Sequence, residues 1–235
     1  PILDIILDQS IDEDQNLFYT LSASDIDSQI LYFSASIDNN GIIQLEQSEL
    51  IITPDVDYNG SIEVIYGVSD GEYAENNSFT LTVNPVNDAP VVDAILNDSV
   101  DEDQSYVIDI SASDIDGDQL TLTADVDANG SASIDGTTLT VTPDQDYNGD
   151  ILVTVTASDD ELIGQSSFTL TVNPVNDAPV VESYGNTSIN EDESLELELI
   201  ATDIDSGDLT FSASVDGNAV LSIVDDLLTV ISNED

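Results

Sequence analysis

Fifty carboxylates and no Lys, Arg or His set the chemistry open to this 235-residue chain. Asp, Glu and Asn side chains are hard oxygen donors, which suit Ca²⁺ with about six to eight ligands, and Mg²⁺ less easily. Zinc, copper and iron–sulfur centres would lack their usual ligands, because there is no His and no Cys. The oxygens recur in order. Asp12-Glu13-Asp14 returns as Asp101-Glu102-Asp103 and Asn190-Glu191-Asp192, and Asp25-Ile26-Asp27 as Asp114-Ile115-Asp116 and Asp203-Ile204-Asp205. Asp57-Tyr58-Asn59-Gly60 returns as Asp146-Tyr147-Asn148-Gly149, and Ser69-Asp70 as Ser158-Asp159. Every step is 89 residues.

A single Asp-x-Asp is most simply an Asx turn on a solvated loop. Four acidic motifs repeated in one order, all between strand patterns, argue for shared metal ligation instead. An EF-hand does not fit. Asp114, Asp116 and Asp118 are spaced correctly, but Gln119 stands where that loop needs Gly and strand patterns flank it. Glycoside hydrolysis by paired carboxylates fits no better, since the pairs recur in every copy and no His, Lys, Arg or Cys assists them. The chain reads as a non-enzyme.

The elements between these motifs have an apolar period of two. Tyr106, Ile108 and Ile110 alternate with Ser105, Val107 and Asp109, and Phe168, Leu170 and Val172 with Thr169 and Thr171. Asn40-Gly41 and Asn129-Gly130 are hairpin signals at matching places. About seven short strands per 89 residues predict an all-β fold of tandem antiparallel β-sandwich repeats, immunoglobulin/cadherin-like and arranged end to end. The repeats span 1–89, 90–178 and 179–235. The third lacks the Tyr-Asn-Gly turn and its last strands, so the sequence reads as a piece of a longer protein. Hydrophobic content of 40% is ordinary, which separates it from disordered acidic tails.

The heptapeptide Asn84-Pro85-Val86-Asn87-Asp88-Ala89-Pro90 recurs at Asn173–Pro179. Two prolines end a strand ladder, so the stretch is a joint, stiff and lined with oxygens. In this arrangement the chain resembles bacterial cadherin-like tandem repeats of large calcium-dependent surface adhesins. The residues carrying the resemblance are Glu13, then Asp25 and Asp27, then Asp57 with Asn59, then Asp70, then Asn87 and Asp88. The resemblance implies Ca²⁺ as the cofactor. It implies that Glu13, Asp57, Asn59, Asn87, Asp88, Asp114, Asp116 and Asp159 hold metal at the first joint. At the second it implies Glu102, Asp146, Asn148, Asn176, Asp177, Asp203 and Asp205. Asp25, Asp27 and Asp70 would serve a preceding joint. Asn59 and Asn148 replace the family's Glu, and Asn84 and Asn173 its first linker Asp, so fewer or weaker ions are expected than in a full cadherin joint.

The function read from the sequence is a calcium-rigidified extracellular spacer or adhesion segment of a large surface or secreted protein. The alternatives are a carbohydrate-binding module and a filament subunit completed by strand donation. The expected partners are calcium ions, then homotypic, cell-surface or glycan contacts. A net charge of −50 repels nucleic acid and anionic membranes.

Overall fold

Segments that alternate apolar and polar residues become strands in the first two repeats, as at Phe168–Val172. The computed structural model describes residues 1–232 and contains no helix among them. In chain order the strands are β1 (Ile2–Leu3), β2 (Gln9–Asp12), β3 (Leu17–Thr20), β4 (Ala23–Ser24), β5 (Tyr32–Ile37), β6 (Gly41–Glu46), β7 (Glu49–Pro54), β8 (Gly60–Ser69) and β9 (Ala74–Asn84). The set recurs 89 residues on as β10 (Val91–Val92), β11 (Asp98–Asp101), β12 (Tyr106–Asp109), β13 (Ala112–Ser113), β14 (Thr121–Val126), β15 (Gly130–Asp135), β16 (Thr138–Pro143), β17 (Gly149–Ser158) and β18 (Ile163–Asn173). A shorter third set follows: β19 (Val180–Val181), β20 (Ser194–Glu198), β21 (Ala201–Thr202), β22 (Ala219–Val224) and β23 (Leu227–Ser232).

Two compact units emerge. One holds Pro1–Val92 with the loops Ala112–Thr121 and Ala157–Gly164; the other holds Asp93–Ser111, Leu122–Thr156 and Gln165–Asp235. In the first, β2-β9-β8-β5 form one sheet and β3-β7-β6 a second. Their inner faces share a core. Leu17, Leu50 and Ile52 from the three-stranded sheet meet Ile62, Val64, Tyr66, Phe79, Leu81 and Val83 from the other. Each such aliphatic side chain contributes about 1.5–3 kcal/mol by leaving water. The second unit contains the sheets β11-β18-β17-β14 and β12-β16-β15, with Leu139, Val141, Ile151, Val153, Phe168 and Leu170 buried.

The antiparallel sandwich has one exception in each four-stranded sheet. β2 runs parallel to β9, from Gln9 opposite Leu81 to Asp12 opposite Asn84, and β11 runs parallel to β18 in the same register. Alternation decides which face a side chain takes, but not which way a strand runs. The direction matters here. Parallel strands end at the same edge, so Glu13, just after β2, arrives beside the linker that leaves β9.

Three two-residue ladders do related work. β1 pairs with β4, β10 with β13 and β19 with β21. Each ties the chain just after a Pro to the stretch just before an Asp-Ile-Asp loop.

The third set forms the sheet β20-β23-β22, yet among the described residues no apolar side chain after Val172 is fully buried. Residues 187–190 and 210–215, which correspond to β11 and β14, are not strands. In the earlier copies those strands lie against long partners of the β17 and β18 type, which have no counterpart among the described residues. A strand without a ladder partner leaves its N–H and C=O groups to water.

Candidate metal centre

Parallel pairing sets the first carboxylate. The Glu13 N–H donates to the Asn84 carbonyl at 2.9 Å, and the Glu13 carboxylate accepts the N–H of Val86. Glu13 is only 4% exposed. Glu102 repeats this with Asn173 and Val175, again at 4% exposure. Two carboxylates are therefore buried in a chain without a single basic side chain. Burying a charge without a counter-charge is costly, so these groups call for a cation.

The β10–β13 ladder brings the second contribution. Asp116 accepts the N–H of Asp88 at 2.8 Å, and Asp114 accepts the N–H of Asp116 at 2.9 Å. Asp114 thus spends one oxygen on an Asx turn. Its other oxygen is buried without a hydrogen-bond partner. The turn reading and the ligand reading each account for one oxygen of the same side chain.

The turns after β7 and β8 complete the set. Asp57 sits in the left-handed region at φ 56°, and its N–H lies 3.4 Å from an oxygen of Asp14, itself at φ 60°. Asp159 accepts the N–H groups of Glu161 and Leu162 through one oxygen and the Asn87 side-chain amide at 2.8 Å through the other. Asn59 lines an open cleft of about 440 Å³ with Asp57, Asn87, Asp116 and Asp118.

Carboxylate oxygens of Glu13, Asp88 and Asp116 come within 4.8 Å of one another, as do those of Asp14, Asp57 and Asp88, and those of Asp114, Asp116 and Asp118. All of these residues belong to the first compact unit. The second unit repeats two of the groups, Glu102–Asp177–Asp205 and Asp103–Asp146–Asp177. There Asp205 accepts the Asp177 N–H at 2.7 Å, and Asp203 accepts the N–H of Asp205. Asn148 points its amide at Glu102, 3.5 Å away, and Asn176 turns its amide to the Asp177 carbonyl. One oxygen of Asp177 is also buried and unpartnered.

Sequence reasoning passed over Asp14, Asp103 and Asp118 as ligand candidates. The signal for the first two was the whole triplet Asp-Glu-Asp, of which only the Glu was used. Asp118 was set aside with the EF-hand.

Charge crowding shows in the acidities. Burial, followed by Asp57, Asp116, Asp14 and Glu13, pushes the Asp88 carboxyl above its ordinary range. Asp177 is raised in the same way by burial, Asp146, Asp205, Asp103 and Glu102. Asp159 is lowered, first by the Leu162 N–H and then by Asn87. At the corresponding earlier place Asp25 accepts the N–H groups of Asp27 and Ser28 through one oxygen, each at 2.8 Å.

The donor set fits calcium: it is all oxygen, mostly charged, and includes buried oxygens with no partner.

Residues 7–84 match the model of the cadherin-like domain, and residues 87–173 match that of the bacterial Ig domain. No curated protein matches the chain. Among solved structures it is similar to human protocadherin-24 EC1-2, at 17% identity over 66% of this chain and 86% of that one, with a TM-score of 0.41. It is also similar to a three-Ig-domain fragment of titin, at 14% identity over 97% and 86%, TM-score 0.37. An endo-fucoidan hydrolase of glycoside hydrolase family 107 shows 17% identity over 97% of this chain, TM-score 0.34, and the chain spans 38% of its length.

Proposed function

We propose that these tandem cadherin-like and bacterial Ig-like domains form a calcium-rigidified extracellular spacer or adhesion segment, its ions locking the joints between repeats. The observation that carries this reading is the pair of buried carboxylates, Glu13 and Glu102, in a chain with no basic side chain to answer them. Each stands beside a Pro-flanked linker whose own Asp has its pKa raised, first by burial and then by the neighbouring carboxylates. Calcium supplies the missing positive charge. The role is mechanical rather than catalytic.

Without an ion, the carboxylates around Asp88 repel one another and the joint loosens; with one, the same oxygens are drawn together. Extracellular calcium modules bind at about 10⁻⁴ to 10⁻³ M. At about a hundredfold above the dissociation constant, each site adds about 2.7 kcal/mol. Solution scattering and thermal unfolding in calcium and in chelator test the proposal. Calcium should raise the midpoint and narrow the distribution of lengths. Curves that superimpose in both measurements would end it.

A further inference from the structure

We infer that Gly164 seats the first linker. Its bare α-carbon lets the Pro90 backbone lie directly against the start of β18, and this uncharged contact positions Asn87 and Asp88 for the cluster around them. The inference rests on the calcium reading above and adds to it a residue that has no side chain at all.

Glycine is required here for space, not for backbone conformation. Gly164 is not among the glycines with positive φ. A Cβ added to it would overlap the Pro90 carbonyl oxygen, stand 2.8 Å from the carbonyl carbon and lie 3.5 Å from the Val91 nitrogen. All three are backbone atoms, so no side-chain rotation relieves the clash. At Gly67, by contrast, the nearest atom is the end of the Asn76 side chain, which can swing away.

The sheet itself does not call for glycine at this place. In β9 the equivalent residue is Glu75, whose carboxylate accepts the Leu3 N–H at 2.8 Å. One repeat thus folds with a long side chain where the next has none. What glycine adds is direct contact between strand and linker.

The seat also lies where the linker needs holding. The turn that leads into Gly164 carries Asp159, which accepts the Asn87 side-chain amide at 2.8 Å. Asp88 therefore sits between two attachments to one turn, Asn87 on Asp159 and Pro90 on Gly164. Beyond Pro90, Val91 and Val92 pair with Ser113 and Ala112, so the chain cannot back away without breaking that ladder. Asp88 gives its N–H to Asp116 at 2.8 Å within this frame. A side chain at position 164 would lift Pro90 from its seat and draw Asp88 away from Asp116. All of these residues belong to the first compact unit.

The test is amide hydrogen exchange in chelator together with calcium titration by calorimetry, on the full chain and on Gly164→Ala. In the variant the amides of Asp88, Val91 and Val92 should exchange faster while those of β8 and β17 keep their protection. Calcium affinity at the cluster around Asp88 should fall on the order of tenfold, as when a group that orients a ligand is lost, and the cluster around Asp177 should keep its affinity. Gly185→Ala, with open space around the added carbon, should change neither measurement. If linker exchange and calcium affinity both match the parent, Gly164 seats nothing, although the calcium reading survives. If β17 loses protection along with the linker, the glycine serves the sandwich and the inference is wrong. A parent that binds no calcium overturns the calcium reading and with it the positioning role inferred for Gly164.

Discussion

The Glu13 carboxylate accepts the N–H of Val86, 73 residues away, while only 4% exposed. Glu13→Gln keeps the acceptor and removes the charge. In chelator the variant should be more stable than the parent by on the order of 1–3 kcal/mol, because a buried charge that has a hydrogen bond but no counter-charge is gone. In millimolar calcium the order should reverse, since a charged ligand has been lost. Denaturant titrations under the two conditions measure both signs, and a variant weaker than the parent in chelator would show that the buried charge costs nothing.

The core offers a test that does not involve metal. Tyr66 is 1% exposed; its hydroxyl accepts the Ile6 N–H at 2.8 Å and donates to the Asp4 carbonyl at 3.2 Å. Tyr66→Phe leaves a buried N–H unsatisfied and should cost about 1–3 kcal/mol. The equivalent position is Val155, which carries no hydroxyl. The loss should therefore appear in the unfolding of the first compact unit, with the same size in calcium and in chelator.

Much of this was legible beforehand, for reasons that differ by residue. Alternation at Phe168, Leu170 and Val172 placed those side chains inward, because side-chain period is a local property of strands. Strand direction is not local, so the parallel pairing of β2 with β9, which delivers Glu13 to the linker, was not foreseen. Asp14 and Asp103 reach the clusters from left-handed backbone at φ 60° and 61°. A motif read as a string of letters does not show that turn. Asp118 was lost with the EF-hand pattern: Gln119 and the flanking strands rule that fold out, but they do not stop Asp114, Asp116 and Asp118 from gathering their carboxylates. The bare stretches at 187–190 and 210–215 show the converse: a strand needs a partner as well as a pattern.

Gly149 lies at φ 139°, and a Cβ there would stand 2.8 Å from the Tyr147 hydroxyl, which donates to the Asp150 carbonyl at 2.9 Å. Gly149→Ala thus meets both backbone strain and a clash. The cost should be about 1–3 kcal/mol, and the displaced Tyr147 should also shift Asp146 and weaken calcium binding. Gly136→Ala is the control: it shares the positive φ, at 63°, with open space around the added carbon. It should cost less and leave calcium affinity alone.

Acid should act on the metal-free chain in the unusual direction. Asp88 and Asp177 have folded-state pKa values raised first by burial and then by Asp57 and Asp146 respectively. The folded state therefore binds their protons more readily than the unfolded one, and stability falls as pH rises through their raised values. In chelator the unfolding midpoint should climb as pH drops from neutral toward about 4, the ordinary Asp range. Asp70 and Asp159, both lowered by backbone N–H donors, act in the opposite sense, and their contribution is lost only below that range. Stability should therefore pass through a maximum near the ordinary carboxylate range, and Asp88→Asn should flatten its neutral side. In saturating calcium the neutral side should reverse, since protons compete with the ion for the same oxygens. A midpoint in chelator that falls steadily from pH 7 downward would show that crowding at Asp88 and Asp177 does not govern the metal-free chain.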